Sequence, residues 1–134
     1  MRPTTRSITV SMALVLAAAA AQGGGSVQVS FVQPESFSDI RDAQFSSVGN
    51  LRELKRHLEE LGVRHVADGQ SLTIEVLDVD LAGEVRFSRG WHENVRWLDG
   101  KADWPRIKLR ITLEPAGQPV RRVEEAVSDM AYLQ

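Results

Sequence analysis

The 134-residue chain contains no cysteine, and this absence excludes several kinds of protein. It cannot be a small secreted scaffold held together by disulfides, and it has no thiol for nucleophilic catalysis. It also has no cysteine to carry a lipid anchor at a signal-peptide cleavage site. The folded domain must therefore be stabilised by packing and hydrogen bonding alone.

An excess of basic residues is also missing, since 16 basic residues face 18 acidic ones. Nucleic-acid-binding domains usually carry a basic surplus, so a nucleic-acid partner is disfavoured. The nucleophile elbow, the phosphate-binding loop and the dinucleotide-binding glycine pattern are all absent from the sequence. His57 and His65 are not at the four-residue spacing of a zinc-binding helix, and His92 stands alone. We therefore expect no cofactor and no metal, and we favour a protein that is not an enzyme.

The longest apolar run extends from Ile8 to Ala21, short of the roughly 20 residues that span a bilayer. It follows a positively charged start with Arg2 and Arg6 and ends in a run of alanines. This pattern predicts a signal peptide over residues 1–21, and an uncleaved N-terminal anchor is the alternative. We expect a periplasmic or secreted protein with no transmembrane span after cleavage. Losing both arginines leaves 14 basic against 18 acidic residues, a net charge near −4.

Residues 22–26 read as a flexible lead-in because they are rich in glycine, and a single domain is predicted over residues 27–134. Alternation of apolar and polar residues predicts strands near residues 26–32, 71–81, 106–113 and 120–127. The stretch from Glu84 to Trp104 looks irregular, apart from a short strand at residues 95–98.

One helix is predicted, with Asn50 as its N-cap and Glu53 completing a capping box. It ends either at Gly62 or near Val66, and we favour the longer helix because a good turn follows it. The fold class is therefore α+β: a mostly antiparallel four-stranded sheet with the helix packed on one face. The order is strand–helix–strand–irregular segment–strand–strand, and the first crossover would allow the first two strands to be parallel.

The stretch from Ser71 to Glu84 changes phase in its middle. Ile74 and Val76 are followed by Val79 and Leu81, so the apolar positions move to the other face of a regular strand. We predict a bulge or bend at Leu77, because burial of two unpaired carboxylates would cost too much free energy.

The carboxylates in question are Asp78 and Asp80, and Glu84 follows a few residues later. Carboxylates two residues apart on a strand share a face and could bind a hard cation or a cationic ligand. We favour the alternative, in which the aspartates are exposed or pair with arginine or lysine and an acid caps a turn at Gly83. Together with His92, the same three acids would make a small metal-dependent hydrolase, which we keep as an alternative function.

A second candidate site is the basic ribbon formed by Arg106, Lys108 and Arg110 on one face of a strand. It would bind an anionic envelope partner, such as lipid head groups or glycan, or it is a solvated face paired with acids. We favour the second interpretation.

The third candidate is Trp91 with His92, in the segment that holds all three tryptophans of the chain. Exposed indole rings on loops can stack on sugars. Tryptophans in a small domain more often complete its core, and we favour that interpretation here.

Three motifs resemble a known family. They are the run from Phe31 to Arg41, the acidic segment from Asp78 to Glu84, and Trp104-Pro105-Arg106-Ile107. The chain is similar to domain of unknown function 3016, a bacterial family of small exported proteins. The resemblance covers about Val27 to Leu133 and implies an exported, periplasmic domain without established catalytic residues. It also implies a basic and aromatic tail beyond Leu133, so the sequence would be truncated at its C-terminus.

The leading hypothesis is a non-enzymatic domain that binds or supports another envelope component. The partner is unknown, with an envelope protein, a lipid or a glycan as candidates. A further option is an oligomeric surface protein that pairs through an exposed edge strand.

Overall fold

The computed structural model describes residues 24–100 and 103–133. Its strands and helix are β1 (Ser26–Phe31), α1 (Val48–His65), β2 (Ser71–Asp80), β3 (Glu84–Ser88), β4 (Glu93–Trp97), β5 (Arg106–Glu114) and β6 (Arg121–Ser128). The expected signal peptide at residues 1–21 lies outside the described residues and stays a prediction. Within the described ranges, no helix has the length and apolar character that crossing a membrane requires.

The main sheet has the strand order β1-β2-β5-β6. β1 and β2 are parallel, whereas β2–β5 and β5–β6 are antiparallel. The α+β class is confirmed, but the prediction of a mostly antiparallel sheet is wrong, because the sheet is mixed. The crossover through α1 returns the chain to the end where β1 began, which makes these two strands parallel.

The predicted order is also wrong, because the segment expected to be irregular contains two paired strands. β3 and β4 form a separate antiparallel hairpin, with Glu84 opposite Trp97 and Ser88 opposite Glu93. Val85 and Phe87 alternate with charged residues, a pattern that is typical of a strand. The short strand predicted at residues 95–98 corresponds to β4.

The predicted start of the helix is wrong. α1 begins at Val48 with Ser47 as the N-cap, and Asn50 instead donates its side-chain amide to the Ile40 carbonyl at 2.9 Å. Asn50 therefore connects the helix to the preceding loop. The longer of the two predicted ends is confirmed, because the helix runs to His65 and Val66 caps it.

The core lies between α1 and one face of the main sheet. Leu58 of the helix packs with Val29 of β1 and Val76 of β2, and Val76 is completely buried. Gly62 is a buried helix residue whose absent side chain permits this approach, since a Cβ there would lie 2.7 Å from the Val27 Cγ1 methyl. The helix packs against β1, and β6 remains exposed along its whole length.

The bulge predicted at Leu77 is present. Val76 faces Leu109 across β2 and β5, and Asp78 faces Lys108, so Leu77 is an extra residue without a partner. The extra residue keeps Val79 buried in the core and leaves Asp78 on the opposite, polar face.

Candidate functional site

The sheet face opposite α1 carries charged residues of both signs. Asp80 accepts a hydrogen bond from Arg106 at 2.8 Å. Arg110 binds Glu124 at 2.8 Å on one side and Glu75 at 3.4 Å on the other. These are cross-strand pairs set by the register of β2, β5 and β6.

The Arg110–Glu124 pair shifts the pKa values of both side chains. The hydrogen bond from the guanidinium holds the pKa of the Glu124 carboxyl below its ordinary value of 4.5, and the same bond raises the pKa of Arg110. Of the basic ribbon, Lys108 alone makes no ion pair with a described residue. Most of the ribbon is thus balanced by acids, which supports the interpretation as a paired outer face.

Asp78 has a different partner. Its two carboxylate oxygens accept hydrogen bonds from the backbone N–H and the hydroxyl of Ser38, each at 2.7 Å. This bidentate contact fixes the segment after Phe37 against the end of β2. Asp39 then continues as a short parallel extension of the sheet: its N–H donates to the Val79 carbonyl and its own carbonyl accepts from Leu81 N–H.

Of the four residues of the hydrolase alternative, Asp78 and Asp80 line one surface pocket with Ser38, Arg106 and Lys108, whereas Glu84 and His92 do not line it. Each of the three acids has its own partner. Asp78 binds Ser38, Asp80 binds Arg106, and Glu84 pairs with Arg86 on the same strand. His92 lies at the turn between β3 and β4, with a positive φ of 54°. Over residues 24–100 and 103–133, no group of three or more acids or histidines is arranged to hold a metal ion.

Arg96 is a connecting residue that sequence reasoning missed. From β4 it donates to the Asp39 carboxylate at 2.9 Å and to the carbonyls of Ala82 and Gly83 at 3.0 Å each. Its other terminal nitrogen donates to the Arg41 carbonyl at 2.6 Å. One guanidinium thus ties the hairpin, the β2–β3 connection and the Asp39 segment together.

Gly83 allows the hairpin to lie this close to the sheet. It lies in the connection after β2, as predicted, with a φ of +74°. A side chain there would collide with the backbone carbonyl of Trp97. Its N–H donates to the Asp103 carboxylate at 2.8 Å, which places the segment that leads into β5 beside the hairpin base.

The model of one protein family matches residues 25–134, and its description is "Protein of unknown function (DUF3016)". The chain belongs to this family. The resemblance identified from the three motifs is thereby confirmed. No curated protein and no solved structure matches the chain. Membership in the DUF3016 family assigns no chemical role to any residue, so the site has to be judged on its own geometry.

Two of the three tryptophans of this DUF3016 domain are on the surface rather than in the core. Trp91 at the hairpin turn is 76% exposed, and Trp97 in β4 is also exposed, whereas Trp104 is half-buried. Phe87 in β3 adds a third exposed aromatic ring. The interpretation that the tryptophans complete the core is therefore wrong for Trp91 and Trp97. The aromatic hairpin, defined as Glu84–Trp97, presents large apolar rings outside the main sheet.

Proposed function

We propose that this DUF3016 protein is an exported, non-enzymatic domain that binds another component of the bacterial envelope through the aromatic hairpin. The observation that carries the proposal is the exposure of Phe87, Trp91 and Trp97 on an element that pairs with no strand of the main sheet. Exposed aromatic rings are costly to solvate and are enriched at binding surfaces.

A glycan is the partner class that the turn around Trp91 suits best; Phe87 and Trp97 lie on opposite faces of the hairpin. Indole rings stack on the apolar faces of sugars, and Trp91 is flanked in the sequence by Arg89, His92 and Glu93, all exposed polar residues that can bond to hydroxyl groups. The basic ribbon is a weaker candidate because Arg106 and Arg110 are already paired with acids. A purely anionic partner would have to displace those pairs.

The hydrolase alternative has no comparable support. Its acids each have their own partner, and neither Glu84 nor His92 lines the pocket that Asp78 and Asp80 share. A non-enzymatic role is therefore the simpler proposal.

Binding is tested by sedimenting the purified protein with insoluble envelope polysaccharide from a bacterial cell wall. We expect the wild type to co-sediment and Trp91→Ala to lose most of its retention. Met130→Ala is the matched control, because Met130 is 72% exposed but lies in the C-terminal segment, outside the hairpin. Equal retention of all three proteins, or no retention of the wild type, would refute the glycan proposal.

Export is tested separately by fractionating cells that express the full chain and determining the N-terminus of the product. The proposal expects a periplasmic protein that begins at Gln22. A product that retains residues 1–21 would favour the uncleaved anchor instead.

A further inference from the structure

The exposed strand β6 has an unusual order of charges. It begins Arg121-Arg122-Val123-Glu124-Glu125, so two basic residues and two acidic residues lie symmetrically on either side of a valine. β6 is the last strand of the sheet order, so one of its edges pairs with β5 and the other pairs with no described strand. An unpaired edge offers backbone N–H and C=O groups to another strand.

We propose that this edge binds the β6 edge of a second copy of the chain, in an antiparallel pair centred on Val123. Around a two-fold axis at Val123, Arg121 faces Glu125 of the partner and Arg122 faces Glu124 of the partner. Both pairs occur twice by symmetry, and directly opposed side chains of opposite charge stabilise antiparallel strands. The strand is therefore complementary to itself.

The charge order also selects this register over its neighbours. Shifting the axis by one residue places either Arg122 or Glu124 opposite its own copy. Opposed like charges destabilise a strand pair. Pro119 limits the pair at its end, because proline has no N–H to donate to the partner strand. With the axis at Val123 and Pro119 as the limit, residues 120–126 of each copy can pair.

The two faces of β6 make different contacts in the dimer. Residues opposite Ile107, Leu109 and Ile111 of β5 lie on the side of α1, and they include Val123 and Val127, which are 48% and 51% exposed. A two-fold axis normal to the sheet leaves both helices on this same side. The Val123 side chains of the two copies then cover each other in the gap between the helices.

Arg121 and Glu125 lie on the α1 side as well, and neither forms an ion pair with a described residue. On the other face, Glu124 already binds Arg110, and Arg122 donates to the Thr112 hydroxyl at 3.2 Å. Arg121 and Glu125 can thus be exchanged without breaking an ion pair between described residues of the protomer. This makes them suitable positions for a test.

Sedimentation-velocity analysis of the protein purified from cells expressing the full chain measures the dimerisation constant. Arg121→Glu and Glu125→Arg each replace two attractive pairs by two repulsive ones, so each should weaken dimerisation about tenfold or more. The double variant Arg121→Glu/Glu125→Arg restores opposite charges and should recover most of the affinity. A wild-type monomer at every concentration, or single variants that dimerise like the wild type, would overturn the proposal.

The register is tested by oxidative cross-linking, which the absence of cysteine makes unambiguous. Val123→Cys places two thiols directly opposite each other, within the Cα separation that a disulfide requires. Val127→Cys is the control, with similar exposure on the same face but about 26 Å between its copies at 3.3 Å per residue. Val123→Cys should give a covalent dimer and Val127→Cys should not; equal cross-linking of both would refute this register.

Discussion

Replacing Arg96 by methionine should destabilise the protein more than any other single change of a charged residue in the hairpin. The variant keeps an unbranched apolar stem and removes the guanidinium. Four acceptors then lose their donor: the Asp39 carboxylate and three backbone carbonyls. The Arg96 and Asp39 side chains are 20% and 26% exposed, so water replaces these bonds incompletely.

The magnitude follows from hydrogen bonds to a charged donor, each of which contributes about 1.5–3 kcal/mol when shielded from water. Partial exposure and the freedom of the surrounding loops reduce the sum, and we expect a loss of about 2–4 kcal/mol. Domains of this size have total unfolding free energies of about 5–15 kcal/mol, so the loss is a large fraction. It corresponds to a fall in Tm of about 10 °C or more.

Thermal and urea unfolding followed by far-ultraviolet circular dichroism measure the loss, and hydrogen exchange locates it. Because β3 and β4 pair with no strand of the main sheet, their amides should lose protection before those of β2 and β5. Arg86→Met is the matched control: Arg86 is well exposed and pairs with Glu84 of its own strand, so its removal should cost less than about 0.5 kcal/mol. Equal stability of the Arg96→Met and Arg86→Met variants would refute the role of Arg96.

Three further predictions concern the sheet, the helix and the polar face. Deletion of Leu77 should leave a folded protein by circular dichroism, since the remaining residues of β2 alternate regularly. Deletion of Leu109 should abolish folding, because β5 has no extra residue and the side chains on one side of the deletion would move to the wrong face. Gly49→Ala, where a methyl group meets no described atom within 4 Å, should raise the Tm through a gain in helix propensity of about 0.5 kcal/mol or less, because Gly49 is in the first turn of α1. Gly62→Ala should lower the Tm because of the contact with Val27. Glu124→Gln should lower stability at pH 7, and the difference from the wild type should vanish as the pH falls through the depressed pKa of Glu124, because the wild type then loses the same charge. A difference that persists at pH 2 would contradict this linkage.

The strands of the main sheet, though not its mixed topology, could be predicted from the sequence because alternation is local information. Alternation gives the faces of β2 and β5, and the break in that alternation locates the bulge at Leu77. The start of the helix was mispredicted for a physical reason that is also local. Asn50 has a good capping side chain, but the Ile40 carbonyl binds it, so the helix begins earlier, at Val48.

The connecting role of Arg96 could not be predicted from spacing. Its carboxylate partner, Asp39, lies 57 residues away in the chain, and an arginine in a short strand reads as a solvated side chain. The hairpin itself was missed although Val85 and Phe87 alternate with charged residues. Its exposed aromatic rings do not fit the expectation that large apolar side chains mark the core.

The bulge and the hairpin are connected through a short series of contacts. Because Leu77 is unpaired, Asp78 lies on the polar face, where it binds the backbone and hydroxyl of Ser38. That contact positions the next residue, Asp39, beside the end of β2, where Arg96 binds its carboxylate. Asp78, the first acid of the segment considered as a cation site, is better explained as a support of the aromatic hairpin. Loss of Asp78 should then act on hairpin placement, through Asp39, rather than on any chemical step.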